Sequence, residues 1–171
     1  KSVRESGIPH VIFRPSIIYG PDDEFVNLFA RISRFSPLMP VMGNGNGKLQ
    51  PVSVDTVARC FALALDREGA LANTIDLCGP EPMTFNELLA TTLRVLGRRR
   101  LTIHLPMPLA EIIAFILEKG GALTGAAPPI NRDQLIMLRE DNTGHCEPAM
   151  QLFGFDQEPF EQGIRHWLTP G

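Results

Sequence analysis

The chain has one tyrosine, one tryptophan and three cysteines among its 171 residues, and each scarcity excludes something. Cys60, Cys78 and Cys146 are odd in number, far apart and without a CxxC pair. Neither a disulfide framework nor a zinc knuckle is therefore expected, no metal site is assigned, and a reducing cytosol is the compartment that fits. Cations are not in excess: Lys and Arg number 16 against 19 Asp and Glu, a formal charge of −3. That balance supplies no field for a nucleic-acid backbone. The run Arg98-Arg99-Arg100 follows Gly97, where cations suit the negative pole of a helix, and reads as a solvated helix terminus. Long apolar runs are also missing. The most apolar stretch, 109–117, carries Glu111 and is far shorter than the ~20 residues a spanning helix needs. A soluble, cytoplasmic chain is expected, with that helix able to lie against a partner or a membrane surface. No apolar segment follows the basic start, so residues 1–7 read as the last turns of a helix rather than a signal sequence.

What is present suffices for one core, since 44% of residues are hydrophobic. Residues 8–18 contain Val11-Ile12-Phe13 and Ile17-Ile18, a β-branched run typical of a buried strand. Tyr19-Gly20-Pro21 ends it. Acidic residues 22–24 then precede Phe25, Leu28, Phe29 and Ile32 at helical spacing. Pro37 and Pro40 break that helix, and the turn 43–47 leads to a short strand over 50–54. Asp55 is placed to cap the next helix. Further strands are expected at 74–78 and 101–105. Between them Thr84 and Glu87 form a capping-box pattern that opens a helix ending at Gly97. Later helices are expected from Pro108 to about Lys119, stopped by Gly120-Gly121, then over 131–140 and 159–168. Strands alternating with helices indicate an α/β architecture.

Familiar reactive arrangements are not found. A phosphate-cradling turn needs backbone amides at a helix start directly after a strand, whereas Gly43 to Gly47 runs into the strand-like Lys48-Leu49-Gln50-Pro51. It also departs from a Walker motif, with Met42 and Leu49 at required Gly and Ser/Thr positions. An acid/base tyrosine needs a lysine four residues on, across one helix face, but Asp23 stands there after Tyr19. His145-Cys146 is the one close pairing of nucleophile and base, and adjacent residues on a helix do not face each other. No catalytic residue is assigned.

Four segments in order nevertheless resemble one family. Ser6-Gly7-Ile8 with Phe13-Arg14-Pro15-Ser16-Ile17-Ile18-Tyr19-Gly20-Pro21 is similar to the strand and loop that follow the Tyr-x-x-x-Lys helix of extended and atypical short-chain dehydrogenases/reductases, the NAD-dependent epimerase/dehydratase superfamily. Gln50-Pro51-Val52-Ser53-Val54-Asp55 resembles that family's Gln-Pro-Val-His-Val-Asp segment, and Gly79-Pro80-Glu81-Pro82-Met83-Thr84 its Gly-Pro-Glu-Pro turn. Arg132-Asp133-Gln134 with Leu138-Arg139-Glu140-Asp141-Asn142 resembles the branch related to the 39 kDa accessory subunit of respiratory complex I, an NADH-ubiquinone oxidoreductase.

The resemblance implies the C-terminal part of a Rossmann-like NAD(P)-binding fold plus a small helical, short-strand substrate domain. Residues 1–36 would be the end of the sheet with its following helix, and 37–171 mostly the substrate side. It further implies an incomplete unit, an oxidoreductase or epimerase fragment lacking the Gly-rich turn and the Tyr-Lys pair, with NAD or NADP held in the intact parent. Pro15, Ser16 and Ile17 would then lie near the nicotinamide carboxamide. Pro removes a donor and fixes the backbone, leaving its neighbours to orient a flat amide. Ile17 and Leu49 stand where sugar-nucleotide epimerases of the superfamily carry Asn and a diphosphate-binding Arg, so an apolar small-molecule substrate, or none, is expected. The family segment's His and second Asp are replaced by Ser53 and Thr56, with Asp55 expected to keep the cap. The alternative is a non-catalytic NAD(P)-binding scaffold or assembly factor at a membrane redox complex. Self-association through an open strand edge at 11–14 is also expected.

Overall fold

The computed structural model describes residues 2–67, 69, 71, 73–124 and 141–169. After a short helix α1 (Ser2–Glu5) come β1 (Ile12–Pro15), β2 (Ile18–Tyr19), α2 (Glu24–Phe35), β3 (Leu38–Met42), β4 (Lys48–Leu49) and β5 (Val52–Ser53). Next are α3 (Val54–Ala64), β6 (Thr74–Leu77), β7 (Met83–Thr84), α4 (Phe85–Val95), β8 (Leu101–Leu105), α5 (Met107–Thr124), α6 (Glu147–Phe153) and α7 (Phe160–Arg165). The α/β expectation holds, and the helix expected over 131–140 lies outside the described residues.

Among the described residues the strands form four two-stranded ladders. Three are parallel, β1–β6, β2–β5 and β3–β8, and β4–β7 is antiparallel. Parallel partners require crossovers, and helices supply them: α2 and α3 lie in the chain between β1 and β6. The largest core joins α2, α4 and α7 through Val26, Phe29, Phe85, Leu88, Leu89, Phe160 and Ile164, with Met39 and Val41 from β3. Full burial of such side chains contributes roughly 1.5–3 kcal/mol each. A second core holds α3, β6 and α6 together through Cys60, Ala64, Ile75, Leu77, Ala149 and Phe153.

Local signals explain most boundaries. Thr84 and Glu87 make the reciprocal capping box, Thr84 N–H donating to Glu87 Oε2 at 2.7 Å and Glu87 N–H to Thr84 Oγ1 at 3.2 Å. Gly97 follows α4 with a left-handed φ of 66°. Asp23 caps α2 by accepting from Val26 N–H, and it also accepts from Gly20 N–H at 3.1 Å.

Three expectations are corrected. Ser53, not Asp55, caps α3: its Oγ accepts from Thr56 N–H at 3.0 Å, and Asp55 sits one step inside the helix, where its charge faces the positive pole. The strand expected over 50–54 is confined to Val52–Ser53, with Val54 already the first residue of α3. By contrast, α2 does end before Pro37 as expected, and residues 38–42 form β3, an edge position among the described strands that tolerates Pro40. The helix from Met107 runs through Gly120-Gly121 to Thr124, since glycine weakens a helix interior without being bound to stop it.

The arginine run ties distant segments together. Arg98 Nη1 donates to Ala30 O and to Ser33 Oγ, both at 2.9 Å, and Arg100 Nε donates to Ser33 O at 2.8 Å. Arg100 thus satisfies the Ser33 carbonyl, whose i+4 partner is Pro37 and has no N–H, while Arg98 adds a further donor to Ala30 O and Ser33 Oγ.

Candidate functional site

The carboxyl ends of β1 and β6 lie side by side, with Pro15 opposite Leu77. In open α/β folds this is where ligands settle, because chain reversals leave a crevice there. A cavity of about 250 Å³ opens at this point, lined by Arg14, Pro15, Ser16, Asp76, Cys78, Asn142, Thr143 and Gly144. Its strand side is fixed by Ser16 N–H donating to Leu77 O at 2.8 Å, which carries the ladder one residue past Pro15.

The opposite wall is a strap, residues 141–146, drawn across the ends of three other segments. Asn142 N–H donates to Lys48 O at 2.7 Å, and Lys48 N–H donates to Asp141 Oδ1 at 2.9 Å. Ser16 Oγ donates to Asn142 O at 2.8 Å. Gln50, buried to 7% exposure, works from beneath: its Nε2 donates to Gly79 O at 2.8 Å and its Oε1 accepts from Gly144 N–H at 3.2 Å. One buried amide therefore satisfies two chain segments at once, as a buried polar group must. Described residues from each of the four segments that carry the family resemblance, Ser16, Gln50, Gly79 and Asn142 among them, meet here. Two glycines permit the approach: a Cβ on Gly79 would run into Pro51 O, and one on Gly144 would press on Asp76 Cβ at 3.1 Å and Cys78 Sγ at 3.2 Å.

Cys78 and Cys146 are disulfide-bonded, their Cα atoms 5.4 Å apart, joining the end of β6 to the end of the strap. This corrects the expectation that no cysteines pair. An odd count of three does not forbid one bridge, and Cys60 is the cysteine left free and buried. Cysteine usage consequently no longer selects a reducing compartment.

Of the three residues assigned from the resemblance, Pro15 and Ser16 line the cavity. Ile17 does not: it packs on the edge of the main core while its carbonyl accepts from Val52 N–H at 2.9 Å. Arg14, Asp76, Cys78 and the residues 142–144 were not assigned from sequence. Arg14 and Asn142 lay inside the quoted motifs, but Asp76 carries no local signal, being brought in only by strand pairing.

Other groups are disposed of by their surroundings. Tyr19 is 3% exposed, edge-on to Phe160, and burial, reinforced by Glu158 and Asp55, pushes its phenol up to about 12. A phenol so placed holds its proton and serves no acid/base chemistry. The 43–47 turn opens onto β4, with Gly45 O accepting from Asn86 N–H at 3.1 Å and Asn46 N–H turned onto Asn44 Oδ1 at 3.0 Å. Among the described residues no group of His, Cys, Asp or Glu could hold a metal, and no helix is long and apolar enough to cross a membrane.

No family model matches the chain. It is 28% identical, over 76% of its own length and 34% of the relative's, to NADH dehydrogenase [ubiquinone] 1 alpha subcomplex subunit 9, mitochondrial, of Arabidopsis thaliana. It is 25% identical to 3beta-hydroxysteroid-dehydrogenase/decarboxylase isoform 1 of the same plant, over 98% of this chain and 42% of that one. The backbone follows UDP-glucuronic acid 4-epimerase from Bacillus cereus, solved with UDP-glucuronic acid and NAD, with a TM-score of 0.64 and 16% identity over 96% of this chain and 46% of the epimerase. The chain thus spans a third to a half of the length of these proteins. In sequence it is similar to a complex I subunit and to a hydroxysteroid dehydrogenase/decarboxylase, and its backbone has the α/β fold of the solved NAD-bound epimerase.

Proposed function

We propose that this chain is the substrate-side portion of an NAD(P)-binding, short-chain dehydrogenase-like oxidoreductase, and that the cavity beside Pro15 and Ser16 takes the nicotinamide end of the dinucleotide. In this reading residues 1–36 complete the nucleotide-binding sheet, residues 37–171 are mostly the substrate side, and Ile17 backs the loop rather than touching the ring. The phosphate-gripping amides and the acid/base pair are supplied by protein outside these residues.

The observation that carries the reading is the polar cavity of about 250 Å³ at the carboxyl ends of parallel β1 and β6. Its volume lies below the ~300–1,000 Å³ of sites that enclose a drug-sized ligand, so it suits one ring of a dinucleotide and not the whole. Hydride transfer would be the cofactor's chemistry. The residues here would orient the carboxamide: Ser16 through its backbone and hydroxyl, Asn142 through its side chain, and Pro15 by fixing the chain. An apolar substrate suits the site better than a nucleotide sugar, because Leu49, at the position expected to grip a diphosphate, is 4% exposed and built into the core. The relative named for a hydroxysteroid agrees.

Titration of the ¹⁵N-labelled chain with nicotinamide mononucleotide, AMP and NAD tests this. Weak binding of the mononucleotide is expected, with shifts confined to Ser16, Thr143 and Gly144 amides, and none from AMP. Micromolar affinity for intact NAD, or mononucleotide shifts elsewhere, would overturn it.

A second reading rests on the relative named as a complex I subunit. There the chain is part of a non-catalytic NAD(P)-binding scaffold at a membrane redox complex. β1 has β6 as its sole ladder partner among the described residues, leaving an edge for pairing with a partner strand or a second copy. Loss of the acid/base tyrosine from the whole protein, with its phosphate-binding turn kept, would favour this reading.

A further inference from the structure

We infer that the Cys78–Cys146 bond is a thiol-exchangeable clasp on the strap that walls the cavity, so that the redox state of this pair sets how firmly residues 142–144 are held. The strap's importance rests on the nicotinamide reading above; the clasp itself rests on geometry alone.

Three observations carry it. First, position: Cys78 lines the cavity, and Cys146 ends the strap that supplies Asn142, Thr143 and Gly144. Among the described residues the rest of the strap is tied by four hydrogen bonds, to Ser16, to Gln50 and twice to Lys48. The bond to Cys78 is its one covalent tie to the opposite wall. Second, access: Cys78 is 1% exposed, whereas Cys146 is half-buried. Of the pair, Cys146 is therefore the more exposed residue, and exchange is proposed to enter at its sulfur. Third, the reduced state is provided for. Gln50 Nε2 stands 3.1 Å from Cys146 Sγ and Gly79 O stands 3.5 Å from it, so a freed thiol has both a donor and an acceptor at hand. Reduction thus leaves the Cys146 thiol with partners in place.

The chemistry is disulfide exchange with a low-molecular-weight disulfide of the glutathione type. The Cys146 thiol loses its proton, its sulfur attacks the incoming disulfide, and one small thiol leaves. Deprotonated Cys78 then attacks Cys146 Sγ, closing the protein bond and releasing the second small thiol. Two protein thiols are oxidised and one disulfide is reduced to two thiols; excess small thiol runs the sequence backwards.

The whole chain is equilibrated in glutathione buffers of graded potential, quenched by alkylation and its free thiols counted by mass spectrometry; amide exchange is followed on the same samples. One free thiol is expected at the oxidising end and three at the reducing end. Exchange of Asn142 and Gly144 amides should be at least tenfold faster in the reduced protein, with the Leu88 and Leu89 amides unchanged. In a Cys146→Ser variant the strap should exchange at the reduced rate in every buffer; if that variant does not fold, the native chain alone decides. Three thiols in every buffer, a bond that resists native-state reduction, or a strap indifferent to potential would each overturn the clasp. Redox-dependent strap exchange together with no mononucleotide binding in either state would uphold the clasp and sink the nicotinamide reading.

Discussion

Arg14 and Asp76 face each other in the parallel register of β1 and β6, and both Nε and Nη2 of the arginine lie 2.8 Å from the same carboxylate oxygen, Asp76 Oδ1. The arginine side chain is 66% exposed and the aspartate 22%, so the pair contributes little to folding, roughly 0–1 kcal/mol. Its place in the cavity wall is what matters. Asp76→Asn should shift the urea midpoint only slightly while weakening mononucleotide binding severalfold at low salt. A large loss of stability with binding unaltered would show the pair to be a folding element instead.

Gly79→Ala should be among the most damaging single-methyl changes available in this chain. The added carbon meets the Pro51 carbonyl, a backbone atom that cannot swing aside. Forced adjustment of this kind costs on the order of 1–3 kcal/mol or more, and it would also spoil the bond from Gln50 to Gly79 O. Chemical denaturation should register the loss, and the Gly144 amide, held by the same glutamine, should exchange faster than the distant α4 amides.

Tyr19 provides an internal reporter, being the chain's one tyrosine. Its folded phenol, raised to about 12 chiefly by burial, lies above the value of about 10 expected in the unfolded chain. The stability tied to this proton is fully present below pH 10 and is lost as pH rises from about 10 to 12, on the order of 2–3 kcal/mol in all. Tyrosinate absorbance should appear together with the loss of secondary structure. Tyr19→Phe should flatten the alkaline fall in stability, and ionisation of Tyr19 near pH 10 in a still-folded chain would contradict this account.

Thr84→Ala tests the capping box. Removing the hydroxyl deprives the Glu87 amide of its acceptor and Glu87 of one donor, with an expected loss of about 1 kcal/mol. Glu87 is held below the usual carboxylate range, mainly by the Thr84 backbone bond and then by its hydroxyl. Its contribution is present above the unfolded carboxylate value and fades as pH falls through the lowered folded one. The variant should therefore differ most from the parent at neutral pH, and the gap should narrow in acid to what the lost acceptor for the Glu87 amide contributes, as urea midpoints across pH 2–7 would reveal.

Elements whose signals are local were legible in the sequence: Thr84-to-Gly97, the 101–105 strand and the helix after Asp23 all declare themselves through caps, glycines and periodicity. What escaped was set by tertiary neighbours. The β3 strand over Leu38–Met42 has no signal around Pro40 and is revealed by its pairing with β8. Asp55 reads as the cap, and only the extended backbone at Ser53 shows that the helix begins two residues earlier. Cys78 and Cys146 lie 68 positions apart, and nothing in their spacing announces contact. The candidate cavity divides the same way: Pro15 and Ser16, which line it, sit in a quoted motif, whereas Asp76 enters through strand register and Gly144 through a strap whose path depends on buried Gln50.

The bonds from Arg98 and Arg100 to the α2 carbonyls of Ala30 and Ser33 make two remote stretches of chain open and close as one cooperative unit. Fraying at the end of α2 is opposed while those guanidinium groups stay in place, and detaching the link between α4 and β8 strips the Ser33 carbonyl of its Arg100 donor. Native-state exchange should accordingly give the amides of residues 32–35 and 97–101 a common opening energy, although a folded core separates them along the sequence.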